Sequence, residues 1–102
     1  MDRVAVLQQF LAENPGDSFA RYGLAMEYSK TGNTEAALAE FKNILAQNPD
    51  YVPAFQMAAQ MLNEAGRDDE ARKWATDGIA VARRTGNQHA ASEMQGLLDL
   101  MG

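Results

Sequence analysis

Apolar residues along this chain fall at helical spacing. Ala20, Leu24 and Tyr28 form one stripe, and Ala37, Phe41, Ile44 and Leu45 form another, the period that gathers side chains on one face of a helix. Gly32 and Gly66 stand where a left-handed residue ends a helix, and Asn14-Pro15 and Asn48-Pro49 close the segments before them. Asp17, Thr34, Asp50 and Asp68 are placed for their side-chain oxygens to cap free N–H groups, while Glu35, Asp69 and Glu70 suit the positive end of a helix dipole. These signals predict helices over 3–13, 17–31, 34–47, 50–65, 68–84 and 87–101. The connections are then only a few residues long, which favours antiparallel neighbours.

The pattern repeats. Leu11-Ala12-Glu13-Asn14-Pro15 returns as Leu45-Ala46-Gln47-Asn48-Pro49, an offset of 34 residues that also pairs Ala20 with Ala54, Ala25 with Ala59, Gly32 with Gly66 and Ala37 with Ala71. Alanine pairs alone arise by chance in an alanine-rich chain, but Pro, Gly and a five-residue segment sharing one register do not arise so easily. Each repeat is read as a pair of helices.

These residues resemble the tetratricopeptide repeat, a unit of two antiparallel helices, A and B. In a first full repeat, 18–51, Leu24, Ala25 and Tyr28 match the core positions of helix A, Gly32 the turn, Ala37 and Phe41 helix B, and Pro49 the exit. Arg21 departs from the family's large residue there, and Ile44 from its usual Ala. A second repeat, 52–85, keeps Phe55, Ala59, Leu62, Gly66 and Ala71 but has Ala75 for the large aromatic and Arg83 for the Pro, so Trp74 is placed to fill the vacated volume and the last helix of the pair runs on to about Arg84. Val4, Leu7, Phe10 and Leu11 match helix B of a truncated earlier unit within 1–16, and Ala91, Met94, Leu97, Leu98 and Met101 give a capping helix within 86–102 its inward stripe. The resemblance implies an all-α, tetratricopeptide-like solenoid of about six antiparallel helices, stacked as a right-handed superhelix in a single domain over 1–102.

Composition narrows the function. The chain has 102 residues, with 9 Lys and Arg against 14 Asp and Glu for a net charge of −5, and its basic residues are scattered except for Arg83-Arg84, which argues against nucleic acid as a partner. With no Cys, thiolate metal sites, disulfides and cysteine nucleophiles are excluded. Met1-Asp2-Arg3-Val4-Ala5-Val6-Leu7 runs into Gln8-Gln9 without the longer apolar region of a signal peptide, and no apolar run reaches membrane-spanning length, so the expected location is the cytoplasm. His89 is the only imidazole, and with Glu93 it supplies two potential metal ligands where zinc sites take three or four. Asp68-Asp69-Glu70 is explained by the helix dipole, and Ser18, Ser29 and Ser92 are not read as nucleophiles. No enzyme, no cofactor and no metal are expected. Met57 and Met61 read as core edge and Gly78 as a close helix approach.

One helix carries a second apolar stripe. Phe19, Tyr22 and Met26 share a face nearly opposite Leu24. By the resemblance, Phe19, Tyr22, Met26 and Ser29 take the groove-facing positions of the first A helix, and Pro53, Gln56, Gln60 and Asn63 their counterparts in the second. The implied groove is aromatic at one end and amide-lined at the other, suited to a peptide or protein partner whose backbone the amides bond. The clamp of Lys, Asn and Arg with which some family members hold chaperone C-termini is missing, since Tyr22, Met26 and Met57 stand at its positions. Two readings remain open: a non-catalytic protein–protein interaction module using this groove, or an assembly protein that homo-oligomerises through the Phe19/Tyr22/Met26 face.

Overall fold

In a computed structural model that describes residues 2–102, six helices follow one another: α1 (Arg3–Glu13), α2 (Ser18–Lys30), α3 (Thr34–Gln47), α4 (Val52–Glu64), α5 (Asp68–Arg84) and α6 (Gln88–Met101). No strand occurs among the described residues. Met1, read above with the start of the chain, lies outside them. The chain is an all-α helical repeat, as its spacing predicts.

Caps explain where the helices begin. Asp17 accepts from the Ala20 N–H at 2.9 Å, as expected, and Asp2 and Asn87 cap α1 and α6 in the same way. Three expected caps differ. Asn33, not Thr34, caps α3, accepting from the Ala36 N–H, because Thr34 is already the first helical residue. Asp50 lies one residue too early, the N-cap of α4 being Tyr51 with Pro53 in the first turn, and Asp50 turns instead to Arg84. Asp68 lies inside α5 rather than before it, where it contributes charge to the dipole and not a cap. At the other ends Gly32, Gly66 and Gly86 hold φ of 78°, 76° and 80°, a conformation that a Cβ disfavours, so each of these turns depends on glycine.

Two compact units divide the described chain, one up to Pro49 and one from Asp50 onward. In the first, α2 packs against both α1 and α3. Leu11, Ala20 and Leu24 form a buried cluster on which Val4, Leu7 and Tyr28 rest, and Arg3 pairs with Glu27 at 2.6 Å to tie α1 to α2. Arg21, which replaces a large apolar residue, bonds Glu40 at 2.8 Å and the Pro15 carbonyl at 3.1 Å. A polar pair thus fills that position without leaving its groups unsatisfied.

In the second unit α5 packs between α4 and α6, which also touch each other. Val52, Ala59, Ala75, Ile79, Ala82, Ala90, Ala91 and Met94 are buried together, with Phe55, Trp74, Leu97 and Leu98 closing over them. Trp74, beside the small Ala75, is half-buried against this cluster with its ring 6.0 Å from that of Phe55. Without the Pro, α5 continues to Arg84, whose guanidinium grips both oxygens of Asp50 at 2.5 and 3.2 Å.

Gly78 marks the tightest approach. A Cβ there would fall 2.5 Å from Met94 Sδ and 2.6 Å from Phe55 Cβ, and the latter cannot swing aside. Gly78→Ala is therefore expected to destabilise the protein by about 1 to 3 kcal/mol despite the better helix propensity of Ala, read as a lower urea midpoint. The Arg84 hydrogen bonds, set against slight desolvation and aided by charge attraction, hold the Asp50 carboxyl below its ordinary value of 3.8. A depressed folded-state pKa gives stability that is present above the ordinary value and lost as pH falls through the folded one. Asp50→Asn should accordingly lower the thermal midpoint by the same amount throughout the pH range above about 5, and the gap to wild type should narrow as pH falls below the ordinary carboxylate value of 3.8.

Candidate functional site

Unit 1 exposes apolar surface between α1 and α2. Phe19 is 79% exposed, and Val6 and Phe10 on α1 are 46% and 44% exposed, more than a helix needs to leave in water. Between them lies a cleft of about 490 Å³ lined by Val6, Leu7, Phe10, Phe19, Tyr22 and Met26, with Arg3 and Asp17 at its rim. Gly23 lines it as well, and a Cβ there would sit 3.7 Å from Leu7, an ordinary contact that leaves the cleft wall smooth. Phe19, Tyr22 and Met26 thus do meet on one surface, as expected. Ser29 is half-buried on the same helix and is not among the residues lining that cleft.

The stripe is not independent of the core. Tyr22 is half-buried, and its ring meets the fully buried Phe41 edge-on, centroids 6.2 Å apart. A face nearly opposite Leu24 thus still touches the core. A helix period places Tyr22 away from Leu24 but says nothing of α3, whose Phe41 reaches around to it.

In unit 2, Gln56, Gln60 and Asn63 line a different kind of cleft, about 610 Å³, formed by α4 and α6. Its other lining comes from Glu64, Glu93, Met94, Gly96, Leu97 and Leu100, and Leu100 is 86% exposed. Gln56 Nε2 donates to Glu93 Oε2 at 3.1 Å, while the other oxygen of Glu93 meets His89 Nε2. The single imidazole is therefore the partner of a surface carboxylate. Pro53 is exposed in the first turn of α4. The part of this cleft that α6 supplies was not foreseen, and only the bare i, i+3 recurrence of Leu97 and Leu100 hints at it.

The remaining candidates are accounted for locally. Asp69 pairs with Arg72 at 3.2 Å and Glu70 with Arg67 at 2.8 Å, within the first turns of α5. Met61 is buried and Met57 half-buried, in keeping with a core-edge role. Among the described residues no three His, Cys, Asp or Glu side chains gather as a metal site would require, and no helix is long and apolar enough to cross a membrane. The two aromatic residues of the unit 1 cleft should respond differently to charge. Tyr22→Glu is expected to lower stability by about 1 to 3 kcal/mol through loss of the Phe41 contact, and Phe19→Glu to change it by no more than about 0.5 kcal/mol, both measured by denaturant unfolding.

Comparison with known proteins agrees with this architecture. The tetratricopeptide repeat family model matches residues 4–61 and, in a second register, 28–95. A TPR repeat-containing protein of Pseudomonas aeruginosa is 27% identical over 88 residues, which is 86% of this chain and 84% of that protein. A crystal structure of a tetratricopeptide repeat domain protein from Salinibacter ruber is 37% identical and superposes with a TM-score of 0.69 over 79% of this chain and 90% of its own. A solution structure of a protein from Bordetella parapertussis is 25% identical, with a TM-score of 0.84 over 97% of this chain and 86% of its own. The offset of 34 residues, the paired helices and the glycine turns have their common origin here: the chain belongs to the tetratricopeptide repeat family.

Proposed function

We propose that the protein is a non-catalytic interaction module that takes a peptide or protein partner on the groove-facing side of its A helices. The family in general mediates protein–protein interaction, and the observation that carries the reading for this chain is Phe19. A phenylalanine 79% exposed beside Val6 and Phe10 at the mouth of an apolar cleft contributes nothing to folding that a smaller polar residue would not, and aromatic residues with such neighbours are where association energy concentrates. Tyr22 and Met26 extend the anchor surface along α2, with Ser29 continuing their row, while Gln56, Gln60 and Asn63 offer amide donors and acceptors for a partner's backbone. Each of these side chains binds rather than reacts, and the partner is met in the cytoplasm. The exposed apolar face also fits the second reading, in which another copy of the chain covers it.

Phe19→Glu separates the two. The variant should keep its helical circular dichroism while losing association by about 2 kcal/mol or more. If affinity capture from cell extract loses its partner and wild-type sedimentation mass is independent of concentration, the module reading holds. If instead wild-type mass rises with concentration and the variant stays monomeric, the face is a self-assembly contact. A variant that retains both behaviours removes the face from function.

A further inference from the structure

Unit 2 carries a cleft whose chemistry differs from that of the aromatic face. We infer that the cleft between α4 and α6 accepts a peptide segment that sets a Lys or Arg close to an aliphatic anchor, an assignment that rests on the chain being a protein-interaction module. The shape comes first. A cleft of about 610 Å³ is large enough for two or three side chains, and its apolar lining is Met94, Leu97 and the 86% exposed Leu100.

Gly96 gives an independent indication. Glycine inside a helix is about 1 kcal/mol less favourable than alanine, so it needs a steric reason. Gly78 has one, in Met94 and Phe55. Gly96 has none within the described chain, because a Cβ built on it meets nothing within 4 Å, yet it lies in the cleft wall. A bare backbone facing open space suits the close approach of something from outside.

Charge then selects the occupant. Glu64 and Glu93 stand in the lining and no Lys or Arg does. Gln56 fixes one oxygen of Glu93 at 3.1 Å, which holds the carboxylate in place. Four cations of this unit are engaged elsewhere: Arg67 with Glu70, Arg72 with Asp69, Lys73 with Asp77 and Arg84 with Asp50. Glu64 has no ion-pair partner among the described residues. A cationic side chain entering the cleft therefore gains attraction at Glu64 without breaking an internal pair, whereas an acidic segment meets two carboxylates on a chain of net charge −5. A purely apolar segment would strip water from those carboxylates with nothing in return.

The test titrates the isotope-labelled full chain with acetyl-Gly-Lys-Leu-Lys-Leu-Leu-Lys-Gly-amide and with the same peptide carrying Glu for every Lys, following backbone amide shifts by NMR. The Lys peptide should move Gln60, Asn63, Glu64, Gly96, Leu97 and Leu100, and the Glu peptide should move none of them. Glu64→Gln should weaken binding about threefold, the scale of one exposed ion pair. Gly96→Ala should weaken it about fivefold while raising the thermal midpoint, a combination that damage to the fold would not produce. Glu13→Gln, the same charge change on α1, should leave affinity as it was. Equal binding of both peptides, equal loss in Glu13→Gln and Glu64→Gln, undiminished affinity in Gly96→Ala, or no response at these amides overturns the assignment. Because the shifts are read in unit 2, that failure would leave a Phe19-dependent association standing, and the two readings fall separately.

Discussion

No helix in this chain can bury its own apolar face. The helices run from 11 to 17 residues, too short to be stable alone in water, and each becomes stable only when a neighbour lies against it closely enough to exclude solvent. That demand for close approach governs the sequence. Ala25, Ala37, Ala54, Ala59, Ala71 and Ala75 are all fully buried, and Gly78 admits Met94 and Phe55 at a distance that even one methyl group would obstruct. Small residues set the spacing between helices, and the larger Leu24, Phe41, Ile44 and Leu62 then fill what remains. The surface follows as well, because a helix held this tightly on one side presents its other side as a rigid ridge.

The aromatic cleft and the amide-lined cleft are products of the same arrangement. Phe10 lies in the last turn of α1 and Phe19 in the first turn of α2, the first helix is too short and too sparsely apolar to cover both, and Val6, Phe10 and Phe19 remain in water. In the second unit, Met94 belongs to the core, Leu97 closes over it, and the exposed Leu100 continues the row to where the core no longer reaches. Such rows let an occupant feel the packing beneath it. Tyr22 shows this directly, lining the cleft while its ring meets that of Phe41.

What the sequence makes legible is periodic. The offset between Pro15 and Pro49, the glycines at 32 and 66, and the apolar stripes fix six helices to within two residues at each end, because these features act through the local backbone. Caps are harder, since one position separates Thr34 from the Asn33 that does the capping, and Asp50 is drawn away by Arg84, 34 residues along the chain. The three grouped residues Phe19, Tyr22 and Met26 were legible from their shared face, whereas the Tyr22–Phe41 contact was not, for a helical wheel holds no record of the neighbouring helix. Gln56, Gln60 and Asn63 could be named by register alone. Their companions Glu93, Gly96 and Leu100 could not, because the break in the repeat after Arg84 leaves α6 without a counterpart in phase.

The pairing of Trp74 with Phe55 has a spectroscopic meaning. It is the chain's single tryptophan and sits on the core of the second unit, so its emission reports the melting of that half, whereas circular dichroism sums helices from both. In a repeat protein, stability is built from local terms and nearest-neighbour terms, and the two signals need follow one curve only while the neighbour term dominates. A gap between the fluorescence and dichroism transitions would therefore measure how strongly one half of the chain feels the other, with the indole serving as an internal thermometer for the second.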